Sequence, residues 1–97
     1  MKLTPKQTAE LKKLANPLSS KYQIGKGELS ESTLDMLDKA LEANELIKVS
    51  ILQNSASDKE EVSSYLEEKL SCAIVQVIGR VIVLYRPSKK HPRNLLK

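Results

Sequence analysis

The chain has 97 residues, 40% apolar and only 3% aromatic, with 16 Lys and Arg against 12 Asp and Glu for a net charge of +4. That length holds one small domain with a single modest core, and so little aromatic surface excludes a binder built on base-stacking platforms. One Cys and one His exclude an intramolecular disulfide framework and a Cys- or His-cluster metal site.

Thr4-Pro5-Lys6-Gln7 predicts the start of a first helix: Thr4 as N-cap, Pro5 where a missing N–H costs nothing, and Gln7 closing a capping box. Leu11, Leu14, Ala15 and Leu18 recur at helical spacing as its apolar stripe, leaving Lys6, Lys12 and Lys13 outward. Asn16-Pro17 ends it, since the residue before proline is disfavoured in the helical region. Lys21 to Ile24 reads as a short strand and Gly25 to Glu28 as a tight loop. Ser30 caps a second helix running to about Ala43, with Leu34, Leu37, Ala40 and Leu41 inward. Leu46 to Leu52 is a second strand with Ile47, Val49 and Ile51 on one face.

Ser57-Asp58-Lys59-Glu60 is a second capping box, opening a helix with Val62, Tyr65, Leu66 and Leu70 as its stripe. Ala73 to Ile78 and Val81 to Tyr85 form a hairpin around Gly79-Arg80, whose leading glycine suits a type II′ turn. Pro87 stops the last strand. The expected organisation is one domain over residues 1–87 and a basic tail over 88–97. Strand–helix–strand units favour parallel pairing and the final hairpin is antiparallel. The expected fold is therefore a two-layer α/β sandwich with a four-stranded mixed sheet.

Charge is distributed unevenly. From Met1 to Gly27 six Lys oppose one Glu, from Glu28 to Gly79 four Lys oppose eleven acids, and from Arg80 onward three Arg and three Lys meet none. Two basic ends flanking an acidic middle suggest a polyanion-binding face if the fold brings the ends together. No apolar run approaches the ~18–20 residues of a membrane span and no secretory core follows Met1, so no membrane partner is expected and the cytoplasm is the expected compartment.

Catalysis finds no support. His91 lies in the basic tail, Cys72 reads as a small buried thiol, and the acids sit at surface spacings. Neither a Walker loop nor a dinucleotide fingerprint is present, and no cofactor is expected. The Gly25-Lys26-Gly27 segment is different. It joins a strand to a helix N-terminus, where backbone N–H groups, permissive glycines and the Lys26 ammonium can hold phosphate. Lys6, Lys12, Lys13, Lys21, Arg80 and Arg86 are the basic residues expected to extend that contact.

Leu3-Thr4-Pro5-Lys6-Gln7, Gln23 to Gly27, Ala40 to Val49, and Val75 to Arg80 continuing through Leu84-Tyr85-Arg86 together resemble the YhbY-type CRM (chloroplast RNA splicing and ribosome maturation) domain. The resemblance covers nearly the whole chain. It implies a small α/β fold similar to the C-terminal domain of translation initiation factor three. It also implies association of the bacterial stand-alone type with precursors of the large ribosomal subunit. The family's RNA-binding loop reads Gly-Lys-Gly-Gly, which falls on Gly25 to Glu28, with Glu28 replacing the final glycine. The expectation is a monomeric, non-catalytic binder of ribosomal RNA. The competing reading is a protein-interaction module whose acidic helices, Glu31–Glu45 and Glu60–Glu68, dock a basic ribosomal or assembly protein.

Overall fold

The computed structural model describes residues 2–24, 30–51, 59–90 and Pro92. The elements run α1 (Pro5–Ala15), β1 (Tyr22–Ile24), α2 (Glu31–Asn44), β2 (Leu46–Ile51), α3 (Lys59–Leu70), β3 (Ala73–Ile78) and β4 (Val81–Tyr85). The order matches the expected one. The Ser57-Asp58 part of the second capping box, the end of the second strand at Leu52, and His91 lie outside the described residues.

The α1 start forms as its sequence dictates. The Gln7 N–H donates to Thr4 Oγ1 at 3.1 Å, and the Thr4 N–H donates to Gln7 Oε1 at 3.0 Å. Its end differs in one respect. Asn16 keeps helical dihedrals (φ −48°, ψ −48°) and bonds back to the Lys12 carbonyl, so the helix stops because Pro17 has no N–H to continue it. In α2, Ser30 Oγ accepts from the Thr33 N–H at 3.3 Å. Helix α3 closes with Ser71 in the left-handed region (φ 50°), and the Cys72 N–H reaches the Glu67 carbonyl at 3.3 Å, a Schellman stop.

The sheet order is β1-β2-β4-β3. β1 runs parallel to β2, and β4 is antiparallel to both of its neighbours. The last strand is thus inserted between β2 and β3 and occupies the centre. Its turn has Gly79 at φ 56°, while Arg80 is not at positive φ; this separates type II′ from type I′, which needs both.

Alternation along β4 splits the core in two. Ile82 and Leu84 join Leu37, Leu41, Leu66 and others beneath α2 and α3. Val83 and Tyr85 join Leu11, Ala15, Leu46 and Val75 beneath α1. The α2/α3 layer on the sheet makes the expected sandwich, and α1 adds partial cover on the opposite face, over β2 and β3. Fully burying a Leu, Ile or Val contributes ~1.5–3 kcal/mol, so four consecutive buried residues explain why this strand is central.

Two expected core leucines are not buried: Leu14 is 40% and Leu18 38% exposed. Leu11 and Ala15, one turn apart, make the contact face of α1. Leu14 falls to its flank, and the turn at Pro17 carries Leu18 clear of the helix axis.

The C-terminal segment is not a free tail from its first residue. Ser88, only 5% exposed, sits against the end of α2. Its N–H donates to Glu45 Oε2 and its hydroxyl to Glu42 Oε2, and the Lys89 and Lys90 N–H groups donate to Glu42 at 3.0 Å each. Residues 88–90 of the expected basic tail are thus held against the end of α2 by carboxylates that read as solvated in sequence.

Two outcomes test these terminations. Replacing Ser71→Gly removes a left-handed conformation that L-residues resist, and should stabilise the protein by about 0.5–1 kcal/mol in chemical denaturation. The Ser88 hydroxyl and the two N–H groups hold the Glu42 carboxyl down to about 2 from an ordinary 4.5. Because the folded value is depressed, this stabilisation is complete above the unfolded value and is lost as pH falls from there through the folded one. The Lys89 and Lys90 amide shifts should titrate together near pH 2; a midpoint near 4.5 would contradict the latch.

Candidate nucleic-acid interface

The expected phosphate loop, Gly25, Lys26 and Gly27, lies outside the described residues, as does Glu28. Its flanks do not. Ile24 ends β1 opposite Ile51 of β2, and the Ile51 N–H donates to the Arg80 carbonyl at 2.8 Å. Strands lie ~4.8 Å apart, so Ile24 and the Arg80 backbone are roughly 10 Å from each other at one end of the sheet. The structure thus brings Arg80 to the strand end from which the glycine segment departs. The N-terminus of α2 begins at Ser30, on the other flank of that segment.

Lys6, Lys12 and Lys13 are exposed on α1, and Lys21 is exposed just before β1. Among the described residues none of these four has an acidic partner: the ion pairs are Lys39 with Asp35 at 3.0 Å and Arg86 with Asp38 at 2.6 Å. Lys48, which sequence reasoning did not single out, projects from β2 toward the end of α1, its Nζ 3.5 Å from the Asn16 carbonyl. A lysine at a polar position of an alternating strand is ordinary in sequence; only the placement of α1 adds it to the basic group.

Arg86 is placed differently from the exposed lysines. It is 8% exposed. Its Nη1 donates to Asp38 Oδ1 at 2.6 Å and to the Leu70 carbonyl at 3.0 Å, and its Nη2 donates to the Asp38 carbonyl at 3.0 Å. The guanidinium fork ties the end of β4 to α2 and to the last carbonyl of α3, a structural clamp at a residue expected to extend the RNA contact. Position after a strand gave the same sequence signal for both roles.

Glu45 is buried as well. It caps α2 at φ 66° and accepts the Arg86 N–H on its carbonyl at 2.9 Å. Burial, with Glu45 nearby, pushes the Tyr85 hydroxyl up from its ordinary pKa. Asp38, Glu42 and Glu45 are therefore already engaged within the fold, which takes them from any docking face of the acidic helices. Cys72 is fully buried, its thiol pushed up to about 11 chiefly by that burial, and its Sγ–H donates to the Leu66 carbonyl at 3.6 Å. A neutral, enclosed thiol is no nucleophile. Tyr22 is half-buried against the α2/α3 core. Among the described residues no three His, Cys, Asp or Glu side chains gather as metal ligands would, and no helix is long and apolar enough to cross a membrane.

This arrangement of three helices and a four-stranded mixed sheet has counterparts among known proteins. The family model for the CRS1/YhbY (CRM) domain matches residues 3–86. The chain belongs to this family. Its CRM domain is 43% identical over 89 residues to the Bacillus subtilis protein named "Probable RNA-binding protein YqeI", covering 92% of this chain and 93% of that one. It is 35% identical over 88 residues to a Haemophilus influenzae protein named "RNA-binding protein", covering 91% and 89%. The solution structure of Staphylococcus aureus SAV1595 shares this CRM fold with a TM-score of 0.79 at 45% identity, over 92% of this chain and 93% of that one.

The two roles of arginine separate experimentally. Arg86→Ala leaves the Asp38 and Leu70 carbonyls and the Asp38 carboxylate without their donor, and should cost about 2–4 kcal/mol of stability. Arg80→Ala should cost under about 1 kcal/mol, as expected for an exposed side chain. Paired urea titrations measure both.

Proposed function

We propose that the chain is a non-catalytic RNA-binding protein that holds the phosphate backbone. The Gly25–Gly27 segment with Lys26, and the basic group Lys6, Lys12, Lys13, Lys21 and Arg80, would make the contacts. One observation carries this reading: Asp38, Glu42 and Glu45 of the middle segment are engaged within the fold, while the α1 lysines and Lys21 have no acidic partner among the described residues. Membership in the CRM family, and the RNA-binding names of its relatives, support the same partner.

The target we propose is ribosomal RNA in precursors of the large subunit, bound by a monomer in the cytoplasm. This rests on the resemblance to stand-alone bacterial family members. Phosphate contacts position a protein without reading sequence, so recognition is led by RNA shape.

The test has two parts. In vitro, Lys12→Glu with Lys13→Glu should weaken RNA binding by about tenfold or more, the scale of removing two charge-assisted hydrogen bonds. The slope of log K against log salt should flatten by ~0.7 for each phosphate of a single strand that is no longer neutralised. In cells, crosslinking followed by sedimentation should recover the protein with large-subunit precursor particles. Unchanged affinity and slope in the double variant would reject this surface, and recovery only with free protein complexes would reject the ribosomal target.

A further inference from the structure

β1 is three residues long and pairs with β2 only from Val49 onward, so Leu46 to Lys48 have no strand on their outer side. The Arg86 N–H donates to the Glu45 carbonyl and the Ile51 N–H to the Arg80 carbonyl, which turns the odd-numbered residues of β2 toward β4. Alternation then turns the backbone groups of Leu46 and Lys48 toward the opposite edge, and at Leu46 β1 supplies no partner.

A groove of about 270 Å³ lies along this edge. It is lined by Leu14 and Leu18 from α1 and its exit, by Tyr22 of β1 and by Leu46, with Lys21 and Lys48 supplying the charge. The two leucines that fail to enter the core are therefore not scattered on the surface; they face the same groove.

We propose that this groove takes one unpaired nucleobase of the bound RNA, with the adjoining phosphates on Lys21 and Lys48. The inference rests on the RNA-binding reading above and adds a site to it. Aliphatic walls match the apolar face of a heterocycle, and the outward backbone of Leu46 can meet a base edge. The volume falls just below the ~300–1,000 Å³ of sites for drug-sized ligands, which suits a single heterocycle. Charge selects among occupants. A second copy docked through the same patch would set Lys21 and Lys48 against their own counterparts, whereas a nucleotide brings the phosphate they need. Such a pocket selects unstacked bases over duplex, a preference that phosphate contacts alone do not supply. The low aromatic content argues against a stacking platform and is compatible with one pocket.

The experiment compares a ten-nucleotide single-stranded RNA with an abasic ribose-phosphate oligomer of equal length, against the wild-type protein and a Leu14→Ser/Leu18→Ser variant. The wild type should bind the intact oligomer about fivefold or more tightly than the abasic one, the low end of one stacked base. The variant should bind both alike with an unchanged salt slope. Independently of any variant, the Tyr22 and Leu46 amide resonances of the wild type should shift with the intact oligomer and not with the abasic one.

Equal wild-type binding of both oligomers, or a preference that survives in the folded variant, would overturn the groove and leave RNA binding standing. So would a concentration-dependent dimer abolished by the two serines, or Tyr22 and Leu46 shifts that do not depend on the bases. Absence of salt-dependent binding to either oligomer would overturn the RNA reading itself.

Discussion

The structure depends on one strand being buried on both faces. In β4 the side chains of Ile82, Val83, Leu84 and Tyr85 are all buried, and successive residues point to opposite sides. Neither face can meet water, so helices must cover both: α2 and α3 on one side, α1 on the other. The pairing of β4 with β2 and β3 follows, because an apolar strand leaves fewest exposed groups at the centre of a sheet. Every feature of the surface is set by how far that cover extends. α1 reaches across part of its face only, and its flank leaves Leu14 in solvent.

The same junction settles the charges. Where β4 ends, Arg86 enters the gap between α2 and α3, and Glu42 and Glu45 gather the backbone that follows it. A carboxylate that accepts several N–H donors is held ionised, and a guanidinium fork on two carbonyls and a carboxylate is fixed in place. The acidic middle and the basic C-terminal end, distinct blocks along the chain, partly satisfy one another. Among the described residues, Lys6, Lys12 and Lys13 on α1 and Lys21 before β1 have no acidic partner.

The local elements were legible because each is announced by short-range chemistry. The Thr4–Gln7 capping box, the Ser30 cap, the Gly79 turn and the alternation in β2 and β4 involve residues within a few positions of each other. Leu14 and Leu18 misled, and the clamp at Arg86 was not legible, for the opposite reason. Helical spacing marks a leucine as available for burial, yet burial depends on where the helix comes to rest. An arginine after a strand has the same local context whether it meets solvent or a carbonyl pair. Lys48 escaped notice because its neighbours are 32 residues away in the chain.

By itself, the sequence determined the number, type and order of the elements, the caps that start and stop them, a mixed sheet, and a resemblance to the CRM family that the family match bears out. It also set the uneven charge, with too few aromatics for a stacking platform. Only the tertiary structure decided that β4 lies between β2 and β3, that α1 takes the face opposite α2 and α3, and that Arg86 is a clamp. It alone decided that the edge of β2 beyond β1 opens into a groove. The physical reason is range. Propensity, capping and turn chemistry act over a few residues, whereas burial, ion pairing and clefts depend on segments tens of residues apart meeting across a sheet.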